Sequence, residues 1–551
     1  MTTDARADVD DAAVPAPAPA PAAGRGRTGG SAAVLVAAGI LLSRVLGLVR
    51  QRVFAHYFGA LSDAADAFTG AFRIPNLLQN LFGEGVLSAS FVPVYARLLA
   101  DGKDEERNRL AGAVLALLAL TVSIVVLLGV LAAPLLTTVV VGGFHGEKRE
   151  LSIRLVRILF PGAGLLAMSA WCLGVLNSHR KFFLSYAAPV LWNVAMIATL
   201  LIFGPRMHGD AGGSFAAEAR LAVWLAWGSV VGSALQVLVQ LPSVLELVRG
   251  MRPRLDLGYG HLRTVVRNFV PAFVGRGVVQ ISAFVDMVLA SPLGTGAVNS
   301  MNFAQTLYLL PVSLFGMSIS VTELTEMSRE SGGAEAEVAE RLRRRLDAGL
   351  RRIAFFVVPC AVAFLAIGDV ITALLFQTGK FGREGSVYVW GILAGSAVGL
   401  LASTLGRLYS STYYALHDTR TPLRFAVVRV ALTIGLGYLA AQPLPRALGI
   451  DIAWGAAGLT ASAGVAGWVE FVLLRSRLNQ RIGRTGLPAS YTVRLYLASA
   501  LAAGAAWLVK WLVGMDRPIL DGLPIVAAYG LTYLALTMLL VKESRQLLRR
   551  R

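Results

Sequence analysis

Apolar runs of roughly 20 residues or more recur along this chain almost to its end, a length that carries an α-helix across a hydrocarbon core. A membrane β-barrel would instead show short alternating segments. The runs fall at 32–58, 63–99, 108–136, 150–178, 184–204, 217–247, 264–291, 296–325, 346–376, 385–415, 422–442, 452–476, 490–514 and 522–542. Of 551 residues, 56% are hydrophobic and 15% charged, whereas about a quarter of a soluble domain is charged. The fold class expected is an all-α polytopic membrane protein of about 14 transmembrane helices, several of them long enough to tilt. In the second run, Pro75 is expected to break the helix.

The formal net charge of +18 would suggest nucleic acid in a soluble chain. Here the cations sit in short loops between apolar runs, where they set topology and meet anionic membrane lipids, so no nucleic-acid partner is expected. With the N-terminus in the cytoplasm, inside loops collect Lys103, Arg107 and Arg109, Arg180 and Lys181, Arg249 to Arg263, Arg341 to Arg345, Arg420 and Arg424, Arg475 to Arg484, and the basic stretch at 542–551. Outer loops keep a thin scatter: Lys148, Arg149, Arg206, Lys380, Arg383, Arg446 and Arg517. Both termini are therefore expected in the cytoplasm, with an even number of crossings. Residues 1–30, rich in Ala, Pro and Gly with Asp4, Asp8, Asp10 and Asp11, read as a disordered tail without signal-peptide order.

Cys172 and Cys360 both lie inside apolar runs, and His56, His145, His179, His208, His261 and His417 are scattered without ligand spacing. No phosphate loop, HExxH or GxSxG context occurs. A disulfide framework, a cysteine metal site, an enzyme active site and an ATP-driven pump built from this chain alone are all disfavoured.

The stretch 43–93 reads as two apolar helices, yet carries Arg44, Arg50, Arg52, Asp63, Asp66, Arg73 and Glu84. A charge facing lipid at the bilayer centre costs at least ~2.5–3.5 kcal/mol, so such residues face protein or a watery cavity. On the second helix Asp66, Arg73 and Asn80 are spaced seven apart and share a face, with Asn76 and Glu84 near the same stripe. On the first, Arg44 and Gln51 share a face. Arg50 lies about 120° round, so a bend at Gly47 would be needed to bring both arginines into one chamber. Arg52 is expected to snorkel to an interface. Guanidinium groups stay charged and present a planar fork of donors, which suits a phosphate-bearing headgroup. Arg73 and Arg276 are candidates to join them. Asp286, on the same run as Arg276 and Gln280, would either neutralise an arginine or bind a coupling cation such as sodium. Arg407, Arg429, Asp369, Glu470, Arg494 and Lys510 read as single charges that snorkel or pair.

An internal repeat supports a two-part plan. Pro75 precedes Leu81-Phe82-Gly83, and Pro311 precedes Leu314-Phe315-Gly316; Arg44 in the first run is echoed by Arg276 in the seventh. The domains expected are a tail at 1–30, an N-terminal six-helix lobe at 31–248, a C-terminal six-helix lobe at 249–480, and a helix pair with a basic tail at 481–551.

The strings SRVLGLVRQRVFAHYFGA, DAADAFTGAFRIPNLLQNLFGEGVLSASFVPVYA, LNSHRKFFLSYAAPVLWN, FQTGKFGRE and YSSTYYALHDTRTPLRFA resemble the MurJ/MviN family of the MOP flippase superfamily, from about residue 35 to the last run. That resemblance implies two six-helix lobes, a final helix pair bordering a hydrophobic groove, and an activity: flipping lipid II, the undecaprenyl-diphosphate-linked peptidoglycan precursor, from inner to outer leaflet. It places family cavity arginines on Arg44 and Arg50 and family acids on Asp66 and Glu84. Two further cavity arginines do not carry over, since Gln79 and Thr306 stand at those positions, and Leu309 replaces an acid. Asp286 matches an acid that some members are suggested to use for sodium.

The expected function is thus an alternating-access lipid II flippase of the bacterial inner membrane, without organic cofactor, driven by membrane potential or a sodium gradient. Cell-wall synthesis proteins are expected partners. Two alternatives remain: an exporter of another polyprenyl-linked saccharide, and a transport-inactive scaffold for cell-wall synthesis, which the substitutions at Gln79 and Thr306 keep open.

Overall fold

The computed structural model describes residues 29–208, 214–329 and 335–540. Most of the acidic N-terminal stretch, the basic cluster at 542–551, and the side chains of Glu84 and Arg276 lie outside the described residues. The first half of the chain forms α1 (Gly29–Phe58), α2 (Asp63–Phe82), α3 (Glu84–Ser90), α4 (Val92–Ala100), α5 (Asp104–Leu131), α6 (Ala133–Val140), α7 (Gly146–Ser178), α8 (Phe182–His208) and α9 (Phe215–Leu247). Then follow α10 (Gly260–Ala290), α11 (Ala297–Pro311), α12 (Ser318–Arg329), α13 (Glu335–Ala366), α14 (Gly368–Phe376), α15 (Arg383–Ala415) and α16 (Arg420–Ala441). The last are α17 (Pro443–Leu448), α18 (Gly455–Ile482), α19 (Ala489–Val513) and α20 (Pro518–Leu540).

Eleven of the described helices are long and apolar enough to cross a membrane. The run at 63–99 divides into three helices, α2, α3 and α4. Pro75 does not break it, contrary to the expectation above: α2 passes through Pro75 and ends at Gly83. The echoing triplet Leu314-Phe315-Gly316 lies in a π turn, Val312–Met317, between α11 and α12. In both halves of the chain a regular helix is therefore interrupted at the same Leu-Phe-Gly signal.

Two groups of helices result. In the first, α1 packs on α8, α2 on α7, and α9 covers α7 and α8. In the second, α15 packs against α18, α13, α11, α12 and α14, while α16 lies on α18. The α15–α18 crossing is close because Gly399 and Gly464 face each other: a Cβ on Gly399 would stand 2.3 Å from the Gly464 Cα. Small residues at such crossings let backbones approach where lipid supplies no hydrophobic drive. Helix α10 contacts both groups, through α3 and α2 on one side and α16 and α18 on the other.

The α19–α20 hairpin rests on α13 and α14 and is fixed there by polar tips rather than apolar surface alone. Pro359 in α13 has no N–H, so the carbonyl of Phe355, one turn earlier, loses its helical donor. The Tyr533 hydroxyl fills that gap at 2.6 Å. Tyr529 donates to Pro359 O at 2.7 Å and Trp507 Nε1 to Ala366 O at 2.8 Å. The Lys510 ammonium bonds Asp369 at 2.6 Å. Trp511, on the far side of α19, is 81% exposed, as befits a lipid-facing or interfacial ring.

Candidate transport path and its closure

The two helix groups are tied at one end, around residues 52–69. Ser62 caps α2, accepting the Ala65 amide at 3.1 Å, and places Asp63 and Asp66 in the first turn, where a helix N-terminus favours anions. Asp66 is completely buried. Its carboxylate accepts Lys148 Nζ at 2.7 Å, the Gly296 amide at 2.7 Å and the Asn299 amide at 2.8 Å. Those amides open α11 and have no helical acceptors of their own. Gly296 adopts a φ of 83°, a left-handed conformation that suits glycine. Lys148 also bonds Asp63 at 2.8 Å. Asn299 in turn donates to Gly59 O at 3.0 Å and Ala60 O at 3.2 Å, and accepts from Thr69 at 3.2 Å. Asp66, expected among substrate-binding residues, is thus saturated by a cation and two amides and joins α2 to α11.

A second tie uses the turn between α14 and α15, part of FQTGKFGRE. Arg52 donates to Leu374 O at 2.9 Å and Leu375 O at 2.7 Å, in the last turn of α14, where carbonyls lack helical donors. It therefore caps a helix instead of snorkelling as expected. The Lys380 amide donates to His56 O at 2.9 Å, and His56 Nδ1 meets the Thr378 hydroxyl at 2.9 Å. Lys380 Nζ pairs with Glu218 at 2.7 Å, and the other oxygen of Glu218 accepts the Ser62 hydroxyl. Buried rings fill the space between the ties, with Phe303 4.9 Å from Phe376 and 5.2 Å from Phe381 by centroid, and 6.4 Å from Phe54.

Away from this end, α10 still packs on α2 and α3, with Phe82 against Phe269 and Phe273, but the seam between α1 and α11 is polar. Helix α1 runs unbroken through Gly47, and the two arginines leave it on different sides. Arg44 donates to Ser313 of the π turn at 3.1 Å, and Gln51 to Thr306 of α11 at 3.4 Å. Arg50 points into the first group, where Nε donates to Asn193 at 3.1 Å and the guanidinium lies 5.0 Å from the Trp192 ring centre. Neither arginine has a carboxylate partner among the described residues.

The α2 stripe behaves as its spacing predicts. Below Asp66, Arg73 faces Asp286 of α10, and Asn80 donates to Gln280 of α10 at 3.3 Å. Gln79, on the same helix, is half-buried. Thr306 donates to Asn302 O at 2.9 Å while accepting from Gln51. Arg407, Arg429 and Glu470 were expected to snorkel or pair. In the fold Arg429 of α16 pairs with Glu470 of α18 at 3.1 Å, and Arg407 of α15 lies beside both. Sequence reasoning passed over Lys148, Glu218 and Lys380. The available signal was the scarcity of cations in the outer loops, where Lys148 and Lys380 stand out.

Asp286 was also a candidate ligand for a coupling cation. Its charged neighbours are Arg73 and Arg429, and no group of three His, Cys, Asp or Glu side chains gathers anywhere among the described residues.

The fold resembles solved transporters. A structure of the lipid II flippase MurJ in an inward closed conformation superposes with a TM-score of 0.74 at 22% identity, covering 94% of this chain and all of that one. An inward-facing multidrug transporter of the MATE family, MOP superfamily, matches at a TM-score of 0.63 and 18% identity over 82% of this chain and 98% of that one. Two helix groups tied at one end, with charged side chains between them, are thus the fold seen in these solved membrane transporters.

Sequence comparison then narrows the class. The family described as lipid II flippase MurJ matches residues 54–515. The lipid II flippase MurJ of Burkholderia cenocepacia is 32% identical over 520 residues, which are 92% of this chain and 95% of that protein. A probable lipid II flippase MurJ of Bdellovibrio bacteriovorus is also 32% identical, over 87% of each. The chain belongs to the MurJ family, and is a polytopic protein of the bacterial inner membrane.

Proposed function

We propose that this protein carries lipid II from the inner to the outer leaflet by alternating access. The observation that carries the reading is the pair Arg44 and Arg50. Both guanidinium groups project from α1, which the sequence reads as the first crossing, and their described partners are a serine, an asparagine amide, a methionine sulfur and an indole ring. Uncompensated charge at such depth is costly and marks a place where an anion is received. A diphosphate supplies two negative charges and the acceptor geometry that guanidinium forks recognise. The polyprenyl tail stays in lipid, along the groove beside α19 and α20.

The loop charges favour an orientation with both termini in the cytoplasm, which makes the tied end, around residues 52–69, the outer one. The chain then stands closed outward and receives cargo from the cytoplasmic leaflet. Loaded, the arginines and the diphosphate cancel. Empty, the site returns inward with net positive charge, which an inside-negative potential favours by ~2.3 kcal/mol per charge per 100 mV. This reading draws its energy from membrane potential and takes no step through a bound cation. Anionic lipids would gather at the basic inside loops, and cell-wall synthesis proteins would receive the product.

The test is depletion in cells with a leaflet-resolved lipid assay. Lipid II should accumulate on the cytoplasmic leaflet, with rescue by the wild-type chain and none by Arg50→Ala. Unchanged export on depletion would remove the reading.

A further inference from the structure

The second helix group carries charges that the α1 arginines do not explain. On α15, Ser403 and Arg407 are one turn apart and share a face. Ser403 meets the Tyr308 hydroxyl of α11 at 2.7 Å, and also donates to Leu400 O at 3.2 Å. Ser403 therefore accepts from Tyr308, and the phenol oxygen keeps a lone pair. Arg407 lies among Tyr308, Arg429 and Glu470. It is solvent-accessible and has no hydrogen bond or ion pair among the described residues. Arg429 is held differently. One of its nitrogens is bonded at 3.1 Å by Glu470, whose side chain is only 13% exposed, while that of Arg429 is 38% exposed. A guanidinium has five N–H donors, so most of those on Arg429 stay open.

We infer that Arg407 and Arg429 form a second oxyanion site, on the wall contributed by α15 and α16, that takes a carboxylate from the peptide portion of the cargo headgroup. The inference rests on the proposed flippase reading and adds a specificity site to it. Charge separates the two sites. Arg44 and Arg50 face no described carboxylate and match a doubly charged diphosphate. Glu470 pairs with Arg429, and the neighbouring Asp286 and Arg73 offset each other, which leaves one net positive charge to match a single carboxylate. The planar fork of Arg407 can accept that carboxylate side by side. The lone pair on Tyr308 is placed to receive an adjoining peptide N–H. Glu470 fixes the position of Arg429 and touches no cargo, so it is a positioning residue.

The test compares binding of two purified lipids, lipid II and undecaprenyl diphosphate without sugar or peptide, to the purified full-length chain. Arg407→Gln should weaken lipid II binding about tenfold to a hundredfold and leave undecaprenyl diphosphate binding unchanged. Arg407→Lys, which keeps the charge but not the fork, should lose less. Lipid II with its peptide carboxylates converted to amides should bind the wild type as weakly as native lipid II binds Arg407→Gln. Equal binding of lipid II by wild type and Arg407→Gln would overturn the inference. So would a parallel loss of both lipids, because the residue would then serve the diphosphate or the fold. Wild-type protein that binds neither lipid would instead defeat the flippase reading itself.

Discussion

Arg44 donates to Ser313 at 3.1 Å, and Gln51, two turns along α1, reaches Thr306 at 3.4 Å. Both pairs are seven residues apart, on helices that run in opposite directions. One face of α1 therefore lies along the span of α11 and the π turn. This seam is polar, whereas the tied end beyond it is sealed by buried carboxylate, amide and aromatic contacts. Opening at the tied end must break the second set, while the seam exchanges one polar partner for another.

Asp66→Asn should loosen the tied end. The asparagine side chain keeps one acceptor oxygen for two amides and repels Lys148 through its own NH₂. A loss of about 1–3 kcal/mol is expected for the closed arrangement. Cysteine labelling at Thr69→Cys, measured with an impermeant reagent from outside, should rise in the Asp66→Asn background.

Lys380 and Glu218 are coupled but not fully buried, with side chains 27% and 14% exposed. Double-mutant cycles on Glu218→Gln and Lys380→Gln, read by the same labelling, should return a coupling of about 0.5–2 kcal/mol that shrinks with added salt. Strict additivity would separate the two residues.

Tyr533→Phe removes the donor that serves the carbonyl orphaned by Pro359. The purified protein should lose about 1 kcal/mol, seen as a lower unfolding temperature in detergent. Pro359→Ala restores an N–H to α13, so the Tyr533→Phe effect should largely vanish in that background. An equal loss in both backgrounds would show that the hydroxyl does not act through this carbonyl.

Cation replacement tests the surroundings of Asp286. With Arg73 and Arg429 beside it, flipping in proteoliposomes should be unchanged when potassium or choline replaces sodium, and should fall when the potential is collapsed. A requirement for sodium would contradict that assignment.

His179, in the loop after α7, contacts the Tyr95 hydroxyl at 3.1 Å. Burial, then Arg107 and Lys181, hold its imidazole below the ordinary histidine value. The unfolded chain then binds the proton more readily, so stability falls as pH drops through the unfolded value of about 6.5 and levels off below the lowered one. His179→Gln should flatten that slope in thermal unfolding between about pH 7 and 5.

Much of this was legible from spacing. The seven-residue steps of Asp66, Arg73 and Asn80 face α11 and α10 as an ideal helix requires, and Arg44 and Gln51 share partners on one span. The Leu-Phe-Gly echo marked two real interruptions of helix. What spacing could not supply was depth and pairing. Arg52 looked like a snorkelling residue because α14, whose last carbonyls it caps, lies over 300 positions away. The partners of Asp66 could not be named because Lys148 and the amides of Gly296 and Asn299 come from other segments. Arg429 was expected to snorkel or pair, but its partner Glu470 could not be named because α16 and α18 meet only in three dimensions. Pro75 was read as a break, but α2 continues through it to Phe82, as an apolar helix can.

The most direct measurement is lipid II translocation in proteoliposomes under an imposed potential, comparing wild type with the Arg44→Ala, Arg50→Ala double variant. The account predicts potential-dependent flipping by the wild type and none by the double variant, with both proteins equally folded and inserted. Undiminished flipping by the double variant would contradict it.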